Sequence, residues 1–472
     1  MVGREKECSE LQRAVDSNRS ELVIVYGRRR IGKTYLIEEF FQRQFDFRYV
    51  GAHGMTTRQQ LHNFAKVLAS YSHQSYGQFK SWFEAFDAVQ YSLGELPERK
   101  KTVFIDEMPW MDSGRSTFVV ALENFWNGWA MAQRNIMLVA TGSAASWMRN
   151  KLVANRGGLH GRITCSIHLS PFNLHETELY LESLGIPWDR QQTTQAYMLL
   201  GGIPYYYSLL SPSLSLAQNI DELFFSQDGA LRLEFEELYS ALFSHADQYL
   251  GVVKLLSEHK AGLSTLQIAK SLNYQGGKIS HIIKNLEQSD IIEAWNQYGT
   301  KRRGTIYRLI DFYTIFYYKF VADNLSKDPT WWSDNLDSQS VTAWMGNCFE
   351  LVCMRHHLQI KAALGIRGIA TQVSTWHVAE NKQEQTRGAQ IDMIIERADR
   401  IIHLCEMKFS NDLYTISKDY ERYLRERSGL FKHLTGTKKS VVHTFVTTYG
   451  VANGKHKSIV HSEVTMDDLF RP

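Results

Sequence analysis

The stretch Gly27-Arg-Arg-Arg-Ile-Gly32-Lys33-Thr34 constrains this chain more than any other. It fits the pattern GxxxxGK[ST] and stands between an apolar run, ELVIVYG (21–27), and a helix-spaced segment, GKTYLIEEFF (32–41). Glycines let the backbone curl so that successive N–H groups and the helix N-terminus face an anion. Gly27, Arg28, Arg29, Arg30, Ile31 and Gly32 are expected to form that cradle, with the three arginine side chains mostly solvated. Lys33 is expected to reach the β- and γ-phosphates of ATP, and the Thr34 hydroxyl to bind Mg²⁺. FDFRYVGA (45–52), KTVFIDE (101–107) and RNIMLVATGS (134–143) add apolar strands separated by helical patterns. That alternation predicts an α/β fold, a parallel sheet covered by helices.

VFIDE ends in two acids directly after the strand. Asp106 is expected to hold Mg²⁺ through water, and Glu107 to orient or deprotonate the attacking water. Thr141 or Ser143, closing the next strand, could sense the γ-phosphate, and Ser143 could equally cap the following helix. Arg162, in HGRITCSIHLSPF, could reach the γ-phosphate in cis or from a neighbouring subunit, or form a structural salt bridge.

The 472-residue length predicts three or four domains, at roughly 100–200 residues each. A net charge of +3 excludes a chain-wide basic surface, so any contact with nucleic acid must be local. Five dispersed cysteines without a CxxC argue for a reducing cytoplasm rather than a disulfide framework. Cys348, Cys353, His356 and His357 cluster on a helix-like stretch with the wrong pairing for zinc. No apolar run reaches the ~20 residues of a bilayer span, and the first residues lack a secretory core. A cytoplasmic location is expected.

VGRE (2–5), the phosphate loop, VFIDE, the TGS strand end, HGR (160–162) and Gly202-Ile203-Pro204 occur in an order that resembles prokaryotic AAA+/STAND-type P-loop ATPases of the archaeal kind. The resemblance implies that Val2, Gly3 and Arg4 flank the base and that Pro204 marks a lid contacting the nucleotide. The strand end carries Thr and Ser rather than the Asn common in such sensors. The expected organisation is an ATPase core (1–168), a helical lid (169–240), a winged-helix domain (241–322), a polar Trp-rich linker (323–340) and a terminal α/β domain (340–472).

In the middle, STLQIAKSL (264–272), a Gly-Gly turn and KISHIIKNLEQSD (278–290) read as a helix-turn-helix, with IIEAW and TIYRL as a following hairpin. If this unit binds DNA, Lys278, Ser280, His281 and Lys284 would face the major groove, with Lys301, Arg302 and Arg303 of the wing on phosphates. The alternative is a lid extension or protein-docking surface. FYTIFYYKF (312–320) reads as core rather than a base-stacking platform. A long helix over 342–364 is expected next.

GAQIDMIIERADRIIHLCEMKF (388–409) reads as an antiparallel hairpin turning at Asp399, which pairs Ile394 with Leu404 and Asp392 with Glu406. Lys408, two residues beyond Glu406, would share their face. Two carboxylates so close repel, and a Mg²⁺ ion would relieve them while Lys408 assists a reaction at phosphate. A salt bridge of Lys408 at the sheet end is the simpler alternative. The Asp…Glu-x-Lys pattern over 340–472 resembles the PD-(D/E)xK nuclease superfamily, which implies a restriction-endonuclease-like fold and adds Glu350 to the metal site. The expected function is an ATP-hydrolysing switch coupled to a Mg²⁺-dependent nuclease, with DNA favoured over RNA and a homo-oligomer or protein partner possible. The alternative is a nucleotide-gated regulatory protein whose winged helix docks DNA or protein and whose nuclease-like domain is inactive.

Overall fold

A computed structural model describes the chain except residues 115, 155–156, 244, 275, 301–303, 325–327 and 381–387. The Lys301-Arg302-Arg303 cluster therefore lies outside the described residues. Five short strands with little polar content between their ends build the first sheet: β1 (Glu21–Tyr26), β2 (Phe47–Val50), β3 (Lys101–Asp106), β4 (Ile136–Gly142) and β5 (Cys165–His168). They lie in the order β2-β3-β4-β1-β5, with every neighbouring pair parallel. Helices cover both faces, so β3 and β4 are buried along their whole length, as a parallel sheet requires. Aromatic residues such as Trp82, which meets Phe118 at 5.0 Å and Phe64 at 5.5 Å, fill one face. The register sets Tyr26 beside both Gly142 and His168, so the C-terminal ends of β1 and β4 share one edge with that of β3.

Contacts divide the chain into two units: Met1–Pro171 with two short later segments, and a second made of Phe172–Ser240, His245–Glu287 and Ile291–Pro472. Most of the regions read as lid, winged helix and terminal domain fall in the second of these units. Within the second unit the helices Ala246–Ser257, Thr265–Ser271 and Gly276–Gln288 precede the antiparallel strands β6 (Ile292–Asn296) and β7 (Thr305–Leu309). Ile279, Ile282, Ile283 and Leu286 form the buried stripe of the third helix. The run 312–320 is core, with Phe312, Tyr313, Phe316, Tyr317 and Phe320 buried.

Two expectations change here. The segment read as a linker contains a packed helix, Trp331–Asn335. Trp332 is buried against Phe316, Phe320 and Trp344, while Asp221 accepts from the Trp332 N–H at 2.8 Å and the Ser333 N–H at 3.1 Å. Tryptophan buries enough apolar area to anchor an otherwise polar stretch. The single helix expected over 342–364 is two, Gln339–Arg355 and His357–Ala363, broken at His356. His356 is buried, its Nδ1 donates to the Val352 carbonyl at 2.8 Å and its Nε2 accepts from the Leu174 N–H at 3.0 Å.

The terminal sheet contains β8 (Thr371–Val378), β9 (Ala389–Arg397), β10 (Ile401–Lys408), β11 (Ser440–Thr447) and β12 (Val460–Thr465) in the order β12-β11-β10-β9-β8. Its β8-β9-β10 part is antiparallel, and β10-β11-β12 is parallel. Among the described residues, no helix is long and apolar enough to cross a membrane.

Candidate functional site

The phosphate loop leaves β1 at Gly27 and enters the helix Lys33–Phe40 at Gly32. A Cβ on Gly27 would lie 2.3 Å from the Leu169 carbonyl oxygen, so only glycine fits this turn. Lys33 is buried, and its ammonium donates to the Gly27 carbonyl at 3.1 Å, the Arg28 carbonyl at 2.9 Å and Ser143 Oγ at 3.1 Å. Burial pushes the Lys33 pKa down to about 8, against the pull of Glu107 and Asp106. Arg28, expected in solvent, is instead 2% exposed, and Arg29 and Arg30 are half-buried. The turn that brings the Arg28 carbonyl onto the buried lysine draws this residue inside the loop.

The Thr34 hydroxyl donates to Asp106 Oδ2 at 2.9 Å, so two hard oxygen ligands from different elements already meet. They fit a Mg²⁺ ion. Thr141 Oγ1 bonds Asp106 Oδ1, tying the ends of β3 and β4 together. Glu107 follows in a left-handed conformation, φ 49°, and its carboxylate accepts from the Ser143 N–H at 3.0 Å and from Ser143 Oγ. Ser143 therefore touches both Lys33 and Glu107, and no helix-capping bond from it is present. Arg4, also buried, donates to the Ser170 carbonyl at 3.0 Å and reaches the Ile31 carbonyl at 3.5 Å, which braces the loop from the N-terminal segment.

Arg162 lies elsewhere. It precedes β5, whose Cys165 pairs with Val23 near the start of β1, and its Nη1 meets Met131 Sδ at 3.4 Å. That is the edge of the sheet opposite the phosphate loop, so Arg162 does not reach the γ-phosphate in cis. Strand direction is the reason: in a parallel sheet the strand starts and strand ends lie on different edges. Pro204 opens the helix Pro204–Ser208 in the second unit, where a Cβ on Gly202 would strike the Phe172 carbonyl at 1.9 Å.

In the terminal domain the hairpin pairs as the sequence predicts, Ile394 with Leu404 and Met393 with Cys405. Asp392, however, does not join Glu406. Ile391 lies opposite Trp376 and packs with Leu404 and Phe431, as does Ile394. Residues three apart in an unbroken strand face opposite ways, so β9 must bulge between them. The β8–β9 register does shift there, between Ser374 and Trp376. The bulge turns Asp392 toward the helix Gln339–Arg355, where it lines a cavity with Glu350.

Glu406 faces the other way. Its oxygens are held by Arg427 and, at 2.7 Å, by the Tyr420 hydroxyl, both on the helix Lys418–Thr435. Lys408 Nζ sits 5.0 Å from the Tyr420 ring centre. Among the described residues no three His, Cys, Asp or Glu side chains are arranged to hold a metal ion. The expected site is thus split: Glu350 and Asp392 line one cavity, while Glu406 is held on the other side of the sheet, so the three acids do not share one Mg²⁺.

Arg427 escaped the sequence reading, although a signal existed: with Leu424 and Phe431 it falls on the buried face of its helix. Arg308, inward-facing on β7 beside Ile306, carried a similar one. Lys260, which pairs with Glu350, carried none. On the helix Gly276–Gln288, Lys278, Ser280, His281 and Lys284 are exposed, and Lys278 Nζ lies 4.7 Å over the Tyr274 ring.

Residues 1–210 match a family described as an ATPase domain predominantly from Archaea. Over 448 residues the chain is 22% identical to an uncharacterized protein of Methanocaldococcus jannaschii, which spans 89% of this chain and 94% of that one. A 43-residue stretch, 9% of this chain and 73% of the relative, is 44% identical to an uncharacterized ATP-binding protein of the same organism. Among solved structures, a Walker-type ATPase of Pyrococcus abyssi aligns with 68% of this chain and 96% of its own, at 17% identity and a TM-score of 0.48. The Aeropyrum pernix ORC2 protein, in ADPNP and ADP complexes, aligns with 69% of this chain and 94% of its own, at 16% identity and a TM-score of 0.44. By geometry and by family together, residues 1–210 are an archaeal-type P-loop ATPase domain.

Proposed function

We propose that this protein is an ATP-driven switch whose second unit docks DNA, and that hydrolysis at the phosphate loop sets the strength of docking. The observation that carries the first half is the continuous bonding Thr34–Asp106–Thr141 and Lys33–Ser143–Glu107. It joins the loop, both acids and the β4 end, the groups that phosphoryl transfer needs within one reach. Bound Mg²⁺ would draw charge from the β- and γ-phosphates, with Thr34 and Asp106 as its holders. Lys33 neutralises the same oxygens, and Glu107 orients the attacking water once Ser143 releases its carboxylate. Glu107→Gln should keep nucleotide binding and lower turnover by about 10²–10⁴, whereas Lys33→Ala should lose binding.

The second half draws support from the exposed Lys278, His281 and Lys284 opposite a buried isoleucine stripe. Nuclease chemistry is not part of this reading, because the terminal acids stand apart. Leu266, 82% exposed on the preceding helix, favours a second reading in which the same surface docks a protein. Titration of a fluorescent ATP analogue with and without duplex DNA tests the proposal, since coupling between sites is reciprocal. DNA should shift nucleotide affinity, and Lys278→Glu with Lys284→Glu should abolish the shift. Identical curves with and without DNA would overturn DNA docking and leave the protein-docking reading.

A further inference from the structure

The acids that fail to assemble a metal site are not left bare. Lys260 Nζ contacts Glu350 Oε2 at 2.5 Å and donates to Asn347 Oδ1 at 2.7 Å. Arg308 Nη2 lies 3.8 Å from Asp392 Oδ1, while its Nε donates to the Ala261 carbonyl at 3.1 Å and its Nη1 meets Met354 Sδ at 3.2 Å. Gln390 Nε2 adds a bond to Asp392 at 2.6 Å. All four charged side chains line one cavity of about 320 Å³, together with Trp344 and Cys348. Both cations come from the helix-and-hairpin region and both carboxylates from the terminal domain.

Burial pushes the Glu350 carboxyl above the usual range, Asp392 adds to the rise, and Lys260 and Lys408 oppose it. The two acids therefore feel each other and require positive charge. Lys260 and Arg308 supply the same charge as one divalent ion. A divalent ion added beside them would leave an uncompensated excess of positive charge in a confined, partly dry space, which costs free energy. The two kinds of counter-ion exclude each other.

We propose that Lys260 and Arg308 are resident counter-ions that lock the Glu350–Asp392 pair against divalent cations. The lock has unequal halves. Arg308 is buried at 8% side-chain exposure, while Lys260, at 47%, is half in water and contributes the weaker, more screened half. The inference does not depend on ATP or on DNA docking.

Mn²⁺ uptake by the full chain without nucleotide, in an Asp106→Asn background that silences the phosphate site, tests the lock. Lys260→Met with Arg308→Met should bind Mn²⁺ at least about tenfold more tightly than the parent, a difference of about 1.4 kcal/mol. Adding Asp392→Asn should remove the gain. A folded double variant with no gain, or a gain that survives Asp392→Asn, would overturn the proposal. Should the double variant fail to fold, Lys260→Met alone is read by the same two outcomes, because it removes only the half-exposed member.

Discussion

Lys33 shows how one buried ammonium makes nucleotide binding sensitive to pH. Its ordinary value of 10.5 falls to about 8 because burial penalises the charged form more than Asp106 and Glu107 favour it. Phosphates bind the charged form, so above about pH 8 a nucleotide must bring a proton with it. Affinity should be level below that point and fall by up to about tenfold per pH unit above it. Calorimetry in two buffers of different ionisation enthalpy should detect the matching proton uptake. Folding stability carries the opposite trend: a depressed lysine adds stability as pH rises from about 8 toward 10.5. An affinity unchanged from pH 7 to 9.5 would contradict the burial argument. The role of Lys33 could be read early because its motif is contiguous, so local order specifies the site.

At the scale of elements, the β9 bulge and the Arg427–Glu406 pair decide what the terminal domain can do. Both side chains of that pair are 6% exposed, so truncating one strands the other in a dry place. Arg427→Met should cost about 3–5 kcal/mol in urea unfolding, and adding Glu406→Gln should recover most of it. A small loss from Arg427→Met that Glu406→Gln does not change would mean that Glu406 finds water instead. The hairpin register was legible, since turn position and apolar pairing suffice to set it. The bulge was not, because Met393, Ile394 and Ile395 are all buried and leave no alternation from which to read a face. Patterning marks the Arg427 and Arg308 positions as inward-facing but not which acids they meet, and it carries no record of Lys260 reaching Glu350.

The whole molecule divides its pH response between its units. His356, His403 and His443 all belong to the second unit and are buried, which lowers each from an ordinary 6.5 to about 4. Nearby arginines add to the effect: Arg355 at His356, Arg397 at His403 and Arg427 at His443. A depressed pKa means that unfolded chain binds protons that folded chain refuses. The stability these groups provide is complete above about pH 6.5 and is lost as pH falls toward 4, at up to about 1.4 kcal/mol per pH unit for each. Nucleotide bound at the phosphate loop should stabilise the other unit, adding about 2.7 kcal/mol at a hundredfold excess over Kd. Scanning calorimetry should therefore resolve two transitions, one raised by nucleotide and the other lowered between pH 7.5 and 5. His443→Asn should lessen the acid shift without changing the nucleotide shift. A single transition that moves with both would show that the units unfold together, and that energy from ATP binding is felt as far as the buried histidines.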